Sequence, residues 1–231
     1  MTPNDLKVRC PATVIVSGPT GSGKTSVVRE IIHRLPEVFD RPPTQVTYCY
    51  SIYQPLFEEL RQQAPLPLEF VHELSDNLKL QPRTLLILDD LQHSSKLIAD
   101  YFTKHSHHLD VDVIYITQNI FLQNDAHRTC NLNTHILSLF KNPRNSQQIT
   151  FLARQISPGN HKFILDAYRQ ATKRPHGYLF LNLQQSTPEH LRIRDSFFYT
   201  EANIFVDKKE FRQIDLAQPD LLDKLRLGSG D

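Results

Sequence analysis

The sequence predicts an α/β fold: a mainly parallel sheet with helices on both faces. Short runs rich in Val, Ile and Tyr alternate along the chain with segments whose apolar residues recur at helical spacing. The runs are apolar throughout, as is typical of parallel strands buried on both faces. Three of the 7 glycines lie at 18–23, directly between the first apolar run and the first helical segment. Such clustering indicates a loop that needs backbone freedom.

Six strands follow from the apolar runs. Two prolines at 42–43 break the chain before the second strand, and two aspartates end the third. The predicted strands are 13–17, 45–50, 84–88, 113–117, 134–140 and 178–183.

Helices are predicted between the strands. The first places Val27, Val28, Ile31, Ile32 and Leu35 on one face. A helix at 55–62 begins with a proline, whose missing N–H is not needed in a first turn. The remaining helices are predicted at 95–104, 149–156 and 163–168. We expect residues 1–200 to form one domain and residues 201–231, with 7 acids and 5 bases, to be a short, partly flexible C-terminal appendage.

Composition excludes several classes of protein. A hydrophobic content of 39% argues against wholesale disorder. No apolar run approaches the ~18–20 residues of a membrane span, and the first residues lack a signal-peptide pattern. Three dispersed cysteines, of which Cys49 is expected to be a buried hydrophobe, argue against a disulfide framework. We therefore expect a reducing, intracellular compartment. The net charge of +1 leaves any nucleic-acid surface to local patches.

Residues 18–25 match the phosphate-binding pattern G-x-x-x-x-G-K-[ST] between a strand and a helix. Glycines allow consecutive backbone N–H groups to curl around a polyphosphate, and the helix N-terminus adds partial positive charge. Lys24 can reach the β- and γ-phosphates, and Thr25 can offer its hydroxyl to Mg²⁺. The pattern predicts binding of ATP and Mg²⁺; the alternative is a chance glycine-rich turn. The predicted binding residues are Gly18, Pro19, Thr20, Gly21, Ser22, Gly23, Lys24, Thr25 and Ser26.

Polar residues end two other strands at the edge where ligands bind in open parallel sheets. Asp89 is predicted to hold Mg²⁺ with Thr25, and Asp90 to polarise a water for attack on the γ-phosphate. Gln118 is predicted to bond the γ-phosphate or that water. The alternatives are that Asp90 caps the next turn and that Gln118 is a solvated loop residue. Two adjacent acids favour hydrolysis over transfer of phosphate to a bound acceptor.

These elements resemble the FtsK–HerA superfamily of RecA-like, additional-strand P-loop ATPases, and within it the viral genome-packaging ATPases of poxviruses, Maverick/Polinton elements and adintoviruses. The similar stretches are GPTGSGKTS at 18–26, LLILDDLQ at 85–92, HSHHLDVDVIYITQNIF at 105–121, FKNPRNSQQITFLARQ at 140–155 and KRPHGYLFLNL at 173–183. The chain departs from many relatives in pairing Asp89 with Asp90 where they pair Asp with Glu.

The resemblance implies a DNA-stimulated motor that moves double-stranded DNA into a capsid. The implied partners are DNA, further copies of the chain in a ring (a hexamer is expected) and a capsid or portal protein, with no membrane. The implied setting is the host nucleus or cytoplasm, or the virion. The resemblance also implies an arginine supplied by a neighbouring subunit: Arg144 is the first candidate, with Arg128 and Arg154 as alternatives.

Local charge offers a weaker signal for DNA binding. Between residues 161 and 194 the sequence has six basic and two acidic side chains. The basic side chains could line a DNA channel or form an ordinary helix surface. The six are Lys162, Arg169, Lys173, Arg174, Arg192 and Arg194. The histidines at 93, 105, 107 and 108 lack zinc-ligand spacing and are interpreted as solvated or capping residues. Two other functions stay open: a nucleotide-gated switch or assembly protein, and a helicase or loader.

Overall fold

In the described part of the chain, the fold is built on one ten-stranded sheet. A computed structural model describes residues 3–91, 94–120, 124–144, 146–207 and 225–227. The strands are β1 Thr13–Ser17, β2 Gln45–Tyr50, β3 Leu68–His72, β4 Thr84–Asp89, β5 Val111–Thr117, β6 Ile136–Phe140, β7 Tyr178–Asn182, β8 Ile193–Arg194, β9 Ile204–Val206 and β10 Leu225–Leu227.

Eight α-helices connect these strands in the described part of the chain. They are α1 Lys24–His33, α2 Leu35–Val38, α3 Leu56–Gln63, α4 Ser95–Asp100, α5 Ser106–Leu109, α6 Asp125–Leu132, α7 Ser146–Ile156 and α8 His161–Ala171. A π-helical turn, Tyr101–His105, joins α4 to α5, and short 3-10 helices form at Pro3–Leu6 and Glu189–Leu191.

The strand order is β3-β2-β4-β5-β1-β6-β7-β8-β9-β10. Neighbours from β3 through β6 are parallel, β6 through β9 are antiparallel, and β10 is parallel to β9. The predicted mainly parallel sheet is therefore confirmed. Strand β1 lies between β5 and β6, and β4 follows β5, so the carboxyl ends of β1, β4 and β5 meet at one edge.

Helices cover both faces of the sheet, as predicted. On one face Val14 and Val16 pack with Val28 and Ile31 of α1 in a buried cluster that also includes α3. On the other face Ile15 belongs to a cluster that draws on α4 and α6–α8. Alternate residues of the central strands thus point to opposite helical layers, because successive side chains of a strand alternate between faces.

All six predicted strands form, with ends shifted by up to two residues. The first helix ends earlier than predicted: α1 stops at His33, and a separate short helix, α2, carries Leu35. Pro36 in its first turn accounts for the break, because proline cannot continue a preceding helix. The predicted helix 95–104 forms as α4 followed by the π-helical turn, and the helical segment continues beyond the prediction as α5.

The sequence interpretation missed β3, the short strands β8–β10 and helix α6. Strand β3 is half-exposed along its length, so it lacks the continuous apolar run of the central strands. Strands β9 and β10 lie within the predicted C-terminal appendage and extend the sheet beyond residue 200. Most of that predicted appendage, and His93, lie outside the described residues.

Two features are absent from the described ranges. No helix there has the length and apolarity required to cross a bilayer. No group of three or more His, Cys, Asp or Glu side chains is arranged to hold a metal ion. The Cys49 side chain is fully buried, as predicted, and burial raises the pKa of its thiol to about 12.

Candidate active site

The loop between β1 and α1 needs glycine at three positions for two physical reasons. Gly21 and Gly23 have φ angles of +77° and +105°, which side-chain-bearing residues rarely adopt. At Gly18 a Cβ atom would lie 2.6 Å from Phe140 Cβ and 2.8 Å from Ser22 Oγ. The loop therefore curls tightly against the end of β6, with α1 beginning immediately after Gly23.

Lys24 is held by the loop. Its ammonium donates hydrogen bonds to the carbonyl oxygens of Gly18, at 2.6 Å, and of Pro19, at 3.0 Å. Burial lowers the pKa of Lys24, while the charges of Asp89 and Asp90 oppose that shift. A positive charge and the N-terminus of α1 thus lie at the same loop, an arrangement that favours an anion.

Asp89 ends β4 as a buried carboxyl group that Tyr48 positions. Tyr48 Oη, from the adjacent strand β2, donates a 2.8 Å hydrogen bond to Asp89 Oδ2. Burial raises the pKa of Asp89, and the Tyr48 hydrogen bond acts in the opposite direction. The sequence interpretation missed Tyr48, because nothing in the sequence of β2, which also carries Thr47 and Tyr50, distinguishes its hydroxyl.

Asp90 and Gln118 are joined by a hydrogen bond. Asp90 has a φ of 53°, and its backbone N–H donates to the Ile116 carbonyl at 3.2 Å. Gln118 Nε2 donates to Asp90 Oδ2 at 3.2 Å. The N-cap of α4 is Ser94 rather than Asp90. The structure therefore brings together the predicted water-activating acid and the predicted sensor.

A cleft of about 580 Å³ adjoins the loop on the side of Gln118. It is lined by Pro19 and Thr20 of the loop, by Gln118 and Asn119, and by residues 142–144 after β6. Arg144 thus shares a cleft with the phosphate loop of its own chain. The alternative arginines, Arg128 and Arg154, are exposed on α6 and α7 and do not line it.

His176, in the turn before β7, also contacts the loop. Its Nδ1 lies 3.1 Å from the Ser22 carbonyl oxygen, and its ring packs beside Gly23. The sequence interpretation assigned no role to this residue. Its signal was the Pro-His-Gly turn at 175–177, directly before β7.

The prediction that Arg194 belongs to a basic surface is wrong. This side chain is only 1% exposed, its guanidinium lies 3.9 Å from the centre of the Phe180 ring, and it donates to the Leu6 carbonyl. The Arg194 side chain is thus enclosed by Phe180 of the neighbouring strand β7 and by the segment around Leu6, and it cannot line a channel. Arg192 is also engaged, by Glu189 and two backbone carbonyls.

Comparison with known proteins shows which solved structures have a similar fold. No protein-family model and no curated protein matches the chain. The genome packaging NTPase B204 of Sulfolobus turreted icosahedral virus 2, solved in complex with ATP-gammaS, superposes with a TM-score of 0.51 at 12% identity. That match covers 85% of this chain and 98% of B204. The flagellar accessory protein FlaH of Methanocaldococcus jannaschii gives a TM-score of 0.38 at 14% identity, over 56% of this chain and 70% of FlaH.

These identities are low, so the likeness concerns the fold. The mixed α/β architecture, the mostly parallel sheet and the glycine-rich loop after its central strand agree with it. The chain has the P-loop NTPase fold of the RecA-like kind.

Proposed function

We propose that this chain is a Mg²⁺-dependent ATPase that acts as a ring-shaped motor on double-stranded DNA and packages a viral genome. The observation that carries the ATPase assignment is that Lys24 of the loop, Asp89, Asp90 and Gln118 lie at one sheet edge, where the two carboxylates act on the Lys24 charge. Phosphate-binding, metal-binding and water-activating groups are the parts that phosphoryl transfer to water requires.

The residues present fit a nucleoside triphosphate with Mg²⁺. Gly18, Gly21 and Gly23 let the loop backbone curl tightly, and Lys24 supplies the positive charge. Within the described residues, Ser22 Oγ is buried without a hydrogen-bond partner, which leaves a polar atom of the loop available to a ligand. Thr25, in the first turn of α1, and Asp89 would hold Mg²⁺, which neutralises charge on the β- and γ-phosphates.

Different residues of the chain perform different steps of hydrolysis. The loop amides and Lys24 bind the phosphates and withdraw charge from them. Asp90 accepts a proton from the attacking water, and Gln118, which contacts Asp90, orients that water. We propose that Arg144, which lines the same cleft as Gln118, stabilises charge on the γ-phosphate.

The proposals that the chain acts on DNA and that it forms a ring are supported by other observations. The sequence resembles viral packaging ATPases over most of residues 10–195, and B204, whose fold is similar, is a genome packaging NTPase. A ring also relaxes the demand for a strongly basic chain, because several modest patches facing one pore act together. This matters for a protein with a net charge of +1.

The decisive measurement is ATP hydrolysis with and without duplex DNA. We expect DNA to stimulate the wild-type protein and Asp90→Asn to abolish turnover while ATP binding persists. Asp76→Asn, at an exposed carboxylate away from the site, is the matched control and should behave as wild type. Hydrolysis that ignores DNA and survives Asp90→Asn would contradict the motor and favour a nucleotide-gated switch.

A further inference from the structure

A second cleft, of about 400 Å³, lies on the α1 side of the phosphate loop. Gly23, Ser26 and Glu30 form one wall. The facing wall includes Arg174, His176 and Phe198. We call it the α1 cleft. It shares no lining residue with the cleft that contains Gln118 and Arg144.

Backbone strain fixes His176 in this cleft. Its φ of 58° is in the left-handed region, which is unusual for a residue other than glycine and is often found at binding sites. The next residue, Gly177, has no room for a side chain, since a Cβ there would lie 2.3 Å from the Ala171 carbonyl oxygen. The tight turn therefore holds the imidazole against the loop.

The imidazole has a defined hydrogen-bonding state. Because the Ser22 carbonyl can only accept, Nδ1 of His176 donates to it, over 3.1 Å. In the neutral ring, Nε2 is then an acceptor. The ring thus carries an aromatic face and an acceptor suited to a hydroxyl or an amine.

The direction of a bound triphosphate follows from the positions of the acids. The γ-phosphate belongs beside Asp89, Asp90 and Gln118, because these groups act on the metal and the attacking water. The loop's own backbone holds the preceding phosphates, so the rest of the nucleotide leaves the loop on the side away from the acids. In the strand order, β4 and β5 lie on one side of β1 and β7 on the other. The α1 cleft is lined by residues at the start of β7 and by neither of the two acids nor Gln118, so it lies on the side away from them.

We infer that the α1 cleft binds the ribose and base of the nucleotide, and that His176 contributes directly by ring contact and by hydrogen bonding through Nε2. This inference rests on the proposed function and adds the nucleoside subsite to it. The cleft also offers carboxylates: Glu30 and Glu201 are both held by Arg34, at 2.7 Å each. Carboxylates accept hydrogen bonds from ribose hydroxyls and from exocyclic amines. Arg174 supplies complementary donors.

Binding of ATP and of inorganic tripolyphosphate, each with Mg²⁺, tests the inference by isothermal titration calorimetry. The two ligands share the phosphates and differ in the nucleoside. We expect wild-type protein to bind ATP more tightly than tripolyphosphate. His176→Ala should weaken ATP binding by about tenfold, the effect of losing one base–aromatic contact, and change tripolyphosphate binding less than twofold.

Two further variants separate ring contact from loop positioning. His176→Asn tolerates a left-handed backbone and can still donate to the Ser22 carbonyl, but it lacks the ring. We expect it to lose ATP affinity as His176→Ala does. His108→Ala removes an exposed histidine at the end of α5 and should bind both ligands as wild type does.

The outcomes distinguish the inference from the function on which it rests. Equal weakening of ATP and tripolyphosphate by His176→Ala would overturn the subsite, because the histidine would then act only through the loop. Equal wild-type affinity for the two ligands would also overturn it. If wild-type protein bound neither ligand, the proposed ATPase function itself would fail, and the inference with it. Lys24→Ala should weaken both ligands.

Discussion

Gln118 Nε2 donates a 3.2 Å hydrogen bond to Asp90 Oδ2, and this contact joins the carboxyl ends of β5 and β4. The two residues are 28 positions apart in the chain. Asp90 takes a left-handed backbone conformation, and its N–H is bonded to Ile116 in the strand that leads to Gln118. The carboxylate is thus tied to β5 through both its backbone and its side chain, which orients it toward the loop edge.

Gln118→Ala should lower kcat for ATP hydrolysis on the order of 10²-fold and leave ATP affinity nearly unchanged, because the lost amide acts on Asp90 and the water. Steady-state phosphate release and equilibrium nucleotide binding measure the two effects. Gln155→Ala, at an exposed amide on α7, is the matched control. A wild-type kcat in Gln118→Ala would show that the contact with Asp90 has no part in turnover.

Tyr48→Phe should raise the Mg²⁺ concentration needed for half-maximal hydrolysis severalfold, because Asp89 loses the donor that holds its Oδ2. The free energy of unfolding should fall by about 1–2 kcal/mol, as is usual for a lost buried hydrogen bond. Tyr115→Phe removes another buried strand hydroxyl, bonded to His127 Nε2 at 3.1 Å, and should leave the Mg²⁺ dependence unchanged. An unchanged Mg²⁺ requirement in Tyr48→Phe would contradict a positioning role.

Alanine substitutions in the loop should have graded effects on stability. Gly23→Ala should be the least tolerated, because φ is +105° there and the new Cβ would lie 3.1–3.3 Å from atoms of His176. Gly18→Ala should also cost about 1–3 kcal/mol, because the new methyl group would overlap Phe140. The Cβ of Gly21→Ala would meet open space, so this variant should lose only about 1–2 kcal/mol of unfolding free energy, from strain in the left-handed backbone.

Thermal unfolding and ATP binding of each glycine variant check this order. Gly159→Ala is the control, since a Cβ there meets nothing within 4 Å and the backbone is not left-handed. A Gly18→Ala protein as stable as wild type would show that the loop relaxes away from β6.

Arg144→Ala should reduce kcat about 10³-fold or more, the scale of an arginine that stabilises γ-phosphate charge. The sequence resemblance implies action across a subunit interface, whereas Arg144 lines the cleft of its own chain. We therefore expect mixtures of Arg144→Ala and Lys24→Ala subunits to show no recovered activity. Recovery at intermediate ratios would establish action in a neighbouring subunit. Arg128→Ala and Arg154→Ala serve as comparisons.

Asp112 should make stability depend on pH. The carboxyl is buried at the start of β5, where it accepts from the Ala12 N–H at 2.7 Å, and burial raises its pKa from 3.8 to about 6. Cys10, Arg41 and Asp110 are the neighbouring titratable groups. Because the folded state holds the proton to a higher pH than the unfolded state, this contribution to stability is greatest below about pH 4. It decreases up to about pH 6 and is constant above.

Asp112→Asn keeps the acceptor and removes the charge. The unfolding free energy of the variant relative to wild type should therefore rise by about 2 kcal/mol between pH 4 and pH 7.5. Urea unfolding at the two pH values measures the change, and Asp76→Asn should show no such trend. A relative stability that does not vary with pH would contradict the raised pKa.

Much of the site could be predicted from sequence because its signals are local. The loop motif, the acids that end β4 and Gln118 at the end of β5 each lie within a few residues of an apolar strand. Parallel strands bring their carboxyl ends together, so local patterns sufficed to predict that these groups meet. Sequence alone therefore determined the fold class, the central strands and the candidate phosphate, metal and water-activating residues.

Only the tertiary structure decided the contacts that depend on strand order. Tyr48 reaches Asp89 because β2 lies beside β4, and His176 reaches Ser22, 154 positions earlier, through the turn before β7. Arg194 is buried because Phe180 of β7 and the carbonyl of Leu6, 188 positions earlier, lie against its guanidinium. Hydrophobic periodicity reports which face of an element is buried but not which element covers it, so these relationships exist only once the chain has folded.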